Sequence, residues 1–320
     1  MPVARALERV AGLQMQYAPS GYVGLWTRLA GFERDDLTKA LERRSAVQGT
    51  LMRTTIHLVS ARDFPLFSVA VRDARREQWL SVRRGEVDAR RLQASARRIE
   101  ALLTDGPRHR DELFDHVGSD SMAWNGVGVF VNLVRAPPSG TWEHRRADIF
   151  ALTDKWLGAS SVTHEDGVDH LVRRYLSAFG PARPHDVAGW AGLPLPTVTD
   201  ALARLKLRRF RDESGRELVD VLRAPLPDAD TPAPVRFLPT WDSTLLVHAR
   251  RTGILPEVFR PRIFTSKIPH SRGTFLVDGA VAGTWRPERG RIVTTPFKRM
   301  PRDVKRELDD EAERLAEFHS

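Results

Sequence analysis

The stretch 168–222 constrains the fold more than any other part of this chain. Leu171–Phe179 has helical apolar spacing and closes at Gly180-Pro181. Pro184–Ala191 predicts a short helix, and a Gly192-Leu193-Pro194 break leads into a third over Leu195–Leu207. Then Arg208-Arg209-Phe210, a polar turn at Asp212–Gly215 and Glu217–Leu222 predict a two-stranded hairpin. Three short helices followed by a ribbon is the order of a winged helix-turn-helix. A chain carrying that unit is not all-β and not a doubly wound sheet. The earlier segments repeat the helix-helix-ribbon order twice, without evident identity between copies.

Upstream, 3–13, 21–31 and 34–45 carry helical spacing, and Leu51–Val59 is β-branched and predicts a strand. A long amphipathic segment runs from about 61 to 103, and Pro107–Val117 opens another helix. Val127–Arg135 and Thr141–Arg146 flank Ala136–Gly140 as two strands and a turn. After a proline-rich junction (Pro225, Pro227, Pro232, Pro234), Phe237–Asp242, Thr274–Gly279 and Val281–Arg286 predict a small β-unit. Asp278-Gly279 is its hairpin turn, and a charged helix at 301–318 closes the chain. The expected class is α+β: tandem winged helix-turn-helix units followed by a C-terminal β-barrel-like domain. The expected divisions are 1–100, 101–160, 161–224 and 235–320.

The chain has 320 residues, 50 basic against 41 acidic, for a net charge of +9 and a pI near 10.5. That balance favours a polyanionic partner. The basic residues are nearly all arginine, a bidentate phosphate partner, though a G+C-rich genome skews composition the same way. With no cysteine, disulfides, thiolate zinc sites and iron–sulfur clusters are excluded. No apolar run approaches a membrane span and no signal-peptide pattern opens the chain. The expected location is the cytoplasm, in association with the nucleoid, with no membrane partner.

The chemistry-bearing candidate is Gln14-Met15-Gln16, ahead of Gly21-Tyr22-Val23-Gly24-Leu25-Trp26. In an extended segment residues i and i+2 share a side, so both amides would face one cavity while Met15 enters the core. Amides are not general bases, but they can hold a water by its lone pairs and hydrogens. The alternative is a pair of polar residues on an amphipathic strand. His57 lies in the predicted strand, either lining a channel or satisfied within the fold. Asp242 is either an electrostatic group or a turn cap. His164-Glu165-Asp166…Asp169-His170 has metal-ligand composition without metal-ligand spacing, so it reads as a solvated loop and no metal is expected. The arginines at 72–76, 83–84 and 90–98, interspersed with acids, read as a solvated helix face.

Gly12-Leu13-Gln14-Met15-Gln16, Gly24-Leu25-Trp26, Arg53…Ile56-His57-Leu58-Val59, Tyr175–Gly180, Leu238-Pro239-Thr240-Trp241-Asp242 and Val277-Asp278-Gly279…Ala282-Gly283-Thr284-Trp285-Arg286 follow one another in order. Together they resemble the winged-helix DNA glycosylases of the AlkZ/YcaQ type, over nearly the whole chain. The resemblance implies three tandem winged helices and a C-terminal β-barrel around a basic channel. It implies excision of alkylated bases, N7- or N3-alkyl purines and bulky or interstrand-crosslinked ones, from double-stranded DNA. The family's motif, glutamine, apolar residue, then glutamine or aspartate, falls on Gln14-Met15-Gln16. Arg53, His57, Trp241 and Arg251 become candidate DNA contacts. Two features depart from the family: the motif lies close to the chain start, and Gly253 stands where a further arginine is common. No cofactor is implied and a monomer is expected. Alkylation at N7 or N3 makes the purine cationic, so a positioned water suffices, and no lysine competes as a Schiff-base nucleophile. The competing class is a non-enzymatic winged-helix DNA binder or transcriptional regulator.

Overall fold

The computed structural model describes residues 1–320 except 119, 147, 229, 247, 249–251 and 265–271. Arg250 and Arg251 therefore lie outside the described residues.

The chain opens with helix α1 (Val3–Arg9), a two-residue strand β1 (Leu13–Gln14) and helices α2 (Ala18–Trp26) and α3 (Arg34–Glu42). Strands β2 (Ala46–Thr50) and β3 (Ile56–Ser60) follow as a hairpin, then helices α4 (Asp63–Val82) and α5 (Ala89–Leu102). Strand β4 (Arg108–His109), helices α6 (Arg110–Asp115) and α7 (Ser121–Val127), strands β5 (Leu133–Arg135) and β6 (Ile149–Leu152) and helix α8 (Thr153–Leu157) come next. All six strands join in one sheet of order β1-β3-β2-β5-β6-β4. The antiparallel β2–β5 pairing, with Gln48 opposite Arg135, carries that sheet across residue 100.

The predicted three-helix-and-ribbon segment is α9 (His164–Phe179), α10 (Pro184–Ala191), α11 (Leu195–Arg204) and the antiparallel pair β7 (Leu207–Arg211) and β8 (Glu217–Val221). The His164–His170 segment is the first half of α9 and not a loop, because Thr163 caps it by accepting from the Asp166 N–H. Its inward face, Val168, Leu171, Val172, Tyr175 and Leu176, shares a core with Phe64, Phe67 and Val71 of α4.

The last part is an open sheet, not the expected barrel. Strand β9 (Arg236–Leu238) pairs with β10 (Gly273–Val277), which pairs with β11 (Ala280–Glu288) and then β12 (Arg291–Pro296), in the order β12-β11-β10-β9. Short helix α12 (Arg260–Ile263) precedes the hairpin and α13 (Arg302–His319) covers the sheet. Leu308 and Leu315 of α13 share a core with Phe237, Phe275 and Trp285 of the sheet and with Leu13, Met15, Tyr22 and Leu25 of the first segment. The strand expected over Leu51–Val59 is divided. Met52–Thr54 forms a 3-10 turn in which Arg53 (φ 53°) and Thr54 (φ 61°) are left-handed, and β2 lies upstream of it. The strand expected over Thr141–Arg146 is a run of bends, held by Trp142 packing edge-on against Tyr22 and Phe318.

Candidate active site

Strand β1 is placed by alternation. Leu13 and Met15 point into the core shared with Tyr22 and Leu25, and the intervening Gln14 points the other way. A glycine allows the close fit: a Cβ on Gly21 would stand 2.5 Å from the Met15 sulfur, so α2 can lie against the motif only with hydrogen there. Leu13 and Gln14 pair with Leu58 and His57 of β3. Beyond them the Met15 N–H donates to the Ile56 carbonyl at 2.8 Å.

The two glutamines part company in burial. Gln14 is 7% exposed, and its Oε1 accepts from Arg53 Nη2 at 3.0 Å. Gln16 is exposed, and its Oε1 accepts from the Ile56 backbone N–H at 3.0 Å, extending the strand pairing through a side chain. Neither amide nitrogen donates to a described residue, and each Oε1 keeps a second lone pair. Gln16 lines a cavity of about 330 Å³ between the β2–β3 hairpin, α4, α7 and β5–β6; Gln14 is not among its lining residues. Water-holding capacity therefore sits at two adjacent places, one inside the fold and one at the cavity mouth.

Arg53 joins the motif to the third segment. Besides Gln14 it donates to the Trp190 carbonyl near the end of α10. Gly192, left-handed at φ 71° as the cap of α10, lets the Arg53 backbone approach; a Cβ there would stand 3.1 Å from its nitrogen. His57, opposite Gln14, is 2% exposed. Burial, then the Arg53 charge, push its pKa down to about 3, so the ring is neutral at physiological pH. Its Nδ1–H donates to the Thr55 carbonyl at 3.0 Å, which makes Nε2 the acceptor nitrogen. The structure thus brings Gln14, Gln16, Arg53 and His57 together. Trp241 lies elsewhere, in the C-terminal segment at φ 60°, with its ring 5.7 Å from that of Phe264.

The turn-cap reading of Asp242 holds, while its Arg28 partner, the arginines of the cavity and the cluster on Asp63 were not anticipated. Asp242 caps the turn after it through the Thr244 N–H and also takes Arg28 on both oxygens, at 2.7 and 3.0 Å. Within the arginine run on α4, Arg75 is 5% exposed and donates to the carbonyls of Thr50 and Gly128 rather than facing water. Arg135 lines the same cavity with Arg75, and burial lowers both pKa values to about 10. The signal for Arg135 was alternation in Leu133-Val134-Arg135, where Val134 is the buried core residue and the other two share the opposite side. His170 and Arg174 converge on the buried Asp63 at 2.8 and 2.9 Å, an internal tie between α9 and α4. Among the described residues no three His, Asp or Glu side chains are grouped as a metal site, and no helix is long and apolar enough to cross a membrane.

A family profile described as DNA glycosylase AlkZ-like matches residues 7–318. Among solved structures, the chain is similar to Streptomyces sahachiroi DNA glycosylase AlkZ, with a TM-score of 0.81 at 19% identity, over 99% of this chain and 91% of that one. Among curated proteins no sequence matches.

Proposed function

Because this chain belongs to the AlkZ-like DNA glycosylase family and is therefore a DNA glycosylase, we propose that it hydrolyses the N-glycosidic bond of N7- or N3-alkylated purines in duplex DNA. Bulky and interstrand-crosslinked adducts fall within the same chemistry. The carrying observation is the cluster itself: two amides with uncommitted N–H groups, a neutral histidine and a guanidinium bound to carbonyl oxygens.

The alkylated purine leaves as a neutral base, so the site need not protonate it. What it must do is hold a water against C1′ and tolerate positive charge building on the sugar. Gln14 and Gln16 hold that water through their amide nitrogens and spare lone pairs. Arg53 fixes the Gln14 amide in one orientation. His57, neutral and tethered, adds an acceptor without adding charge. No lysine lines the cavity among the described residues, so we read the reaction as hydrolytic, leaving an uncut abasic strand.

We read α9–α11 with the β7–β8 ribbon as a winged helix, and the two preceding segments as related units sharing one sheet. Arg53, Trp241 and Arg251 remain the candidate DNA contacts, whereas His57 is buried and acts from within the fold. The protein acts as a monomer on nucleoid DNA in the cytoplasm, and chelation leaves activity unchanged.

Incubating the protein with a methylated duplex and with a crosslinked duplex tests the proposal directly. Free base and alkali-labile sites should appear well above the spontaneous rate. Intact duplex binding with no release from either substrate would overturn it.

A further inference from the structure

We propose that the cavity beside Gln16 is the pocket of the leaving purine, and that it favours the base in its uncharged form through Arg135. This inference rests on the glycosylase reading above, with Gln16 at the reacting sugar.

The cavity, about 330 Å³, is large enough for a purine and is walled by four aromatic rings, Phe64, Trp79, Trp124 and Phe150. Trp124 stands edge-to-face on Phe150 at 5.3 Å, which fixes both. Asn125 and Asn132 add amide groups suited to a base edge. Gln16 lies in the same wall, so a base in the cavity has its sugar beside the motif.

The charge of the pocket is the informative feature. Its lining contains two arginines and no carboxylate among the described residues. Arg75 is satisfied in part by the Thr50 and Gly128 carbonyls. Arg135 is not: it has no hydrogen bond to a described residue, its guanidinium lies 5.7 Å from the Phe150 ring, and its Nε is buried without an acceptor. A half-buried guanidinium whose Nε is shut off from water without an acceptor favours a ligand that supplies one.

An N7-alkylated nucleotide carries positive charge on the purine, which this pocket opposes. When the C1′–N9 bond breaks, its electron pair stays on N9 and the base becomes neutral. Positive character moves to the sugar; water adds at C1′ and its proton passes to solvent. The released base then offers N9 and its other ring acceptors to the Arg135 donors. The pocket therefore interacts better with the leaving base than with the bound nucleotide, the differential that accelerates a reaction. A phosphate would also satisfy Arg135, but it has no use for four aromatic walls.

The test uses the full chain and free 7-methylguanine, with tryptophan fluorescence and inhibition of base release as readouts. Saturable binding and product inhibition are expected, with 7-methylguanosine, which keeps the purinium charge, binding more weakly. Arg135→Met should weaken 7-methylguanine binding by about tenfold or more. Its melting temperature should stay close to wild type, since the half-buried Arg135 makes no hydrogen bond to a described residue. Asn125→Leu, at an exposed rim position that cannot disturb the core, should also weaken base binding. Equal affinity in wild type and Arg135→Met, or inorganic phosphate displacing the base at lower concentration than 7-methylguanosine, overturns the pocket while wild-type base release keeps the glycosylase reading intact. Base binding without release from any alkylated duplex overturns the glycosylase reading, and with it the leaving-group role.

Discussion

Two arginines tie the N-terminal segment to distant parts of the chain, one through a carboxylate and the other through carbonyl oxygens. Arg28, just past α2, meets Asp242 in a two-pronged ion pair, with Gly24 and Thr244 oxygens completing its shell. Arg53, in the β2–β3 turn, donates to two neutral oxygens, those of Gln14 and the Trp190 carbonyl. The first junction is neutral and serves to hold α2 to the C-terminal sheet. The second sets a guanidinium between a side-chain amide and a backbone carbonyl. Arg135, on the strand paired with β2, lines the neighbouring cavity, whose described lining contains no carboxylate.

The largest expected effect tests the fastened side. In Asp242→Ala, Arg28 loses both carboxylate bonds and the following turn loses its cap. Breaking such a pair while the cation stays mostly buried should lower stability by about 3–5 kcal/mol. Denaturant unfolding measures it directly. A loss below 1 kcal/mol would mean that this junction is not the fastening point, and the contrast with Arg53 would fail.

Next come the amides. Gln14→Ala and Gln16→Ala should each slow base release by about 10²–10³-fold, the usual cost of losing one oriented hydrogen-bonding group at a reacting centre. Duplex affinity should stay near wild type in both. Their stabilities should differ: Gln14 is buried and holds Arg53, so its loss costs about 1–3 kcal/mol, whereas exposed Gln16 costs little. On the proposed arrangement, in which both amides hold one water, the double variant should lose less rate than the two singles combined. Wild-type rates in both singles would remove the catalytic assignment.

How far the chain could be read depended on the range of the interactions. Helices α9–α11 and the β7–β8 ribbon were legible because their stops are local: Gly180-Pro181, a left-handed Gly192, and the Asp212–Gly215 turn. Gln14 and Gln16 were legible through spacing of two around an apolar Met15. The difference in their burial was not, since it depends on Arg53 and Ile56, some forty positions away. Strand β2 was missed because Ala46-Val47-Gln48-Gly49-Thr50 gains its β character by pairing with β3 and β5 on either side. Thr141–Arg146 looked like a strand by composition, but Trp142 is claimed by rings from α2 and α13. A closed barrel was expected at the C terminus from the family resemblance, and the sheet there is open with β12 and β9 at its edges. Arg28 and Asp242 are separated by 214 positions, a contact no local pattern encodes.

A smaller effect concerns protons. His57 is neutral in the fold, with a pKa near 3, and ordinary in the unfolded chain near 6.5. A depressed folded pKa means the stability is whole above about 6.5 and lost as pH falls towards 3, because the unfolded chain takes the proton first. The slope from this one group is about 1.4 kcal/mol per pH unit in that window. His57→Gln should flatten the acid limb of the stability curve by that amount. Between pH 7 and 8 the rate at saturating substrate should stay level, since neither amide titrates and His57 is already neutral. An acid limb unchanged in His57→Gln would show that the ring is protonated in the folded protein.

The smallest effect returns to ion pairs, now on the ribbon. Arg209 of β7 pairs with Glu217 of β8, as Arg28 does with Asp242, but here both side chains are more than half exposed. Solvent screening and side-chain entropy leave such a pair with about 0–1 kcal/mol of stability. Glu217→Gln should therefore barely move the unfolding midpoint, in contrast to Asp242→Ala. It should instead release Arg209 for phosphate, so duplex affinity rises modestly and the dependence of log affinity on log salt steepens by up to about 0.9, one phosphate contact. Base release at saturating substrate should not change, because the ribbon is remote from the amides in sequence and, among the described residues, is not hydrogen-bonded to them. A collapse in stability would make the exposed pair equivalent to the buried one and break the comparison. An unchanged salt slope would leave the comparison standing but take the ribbon out of the DNA-binding surface.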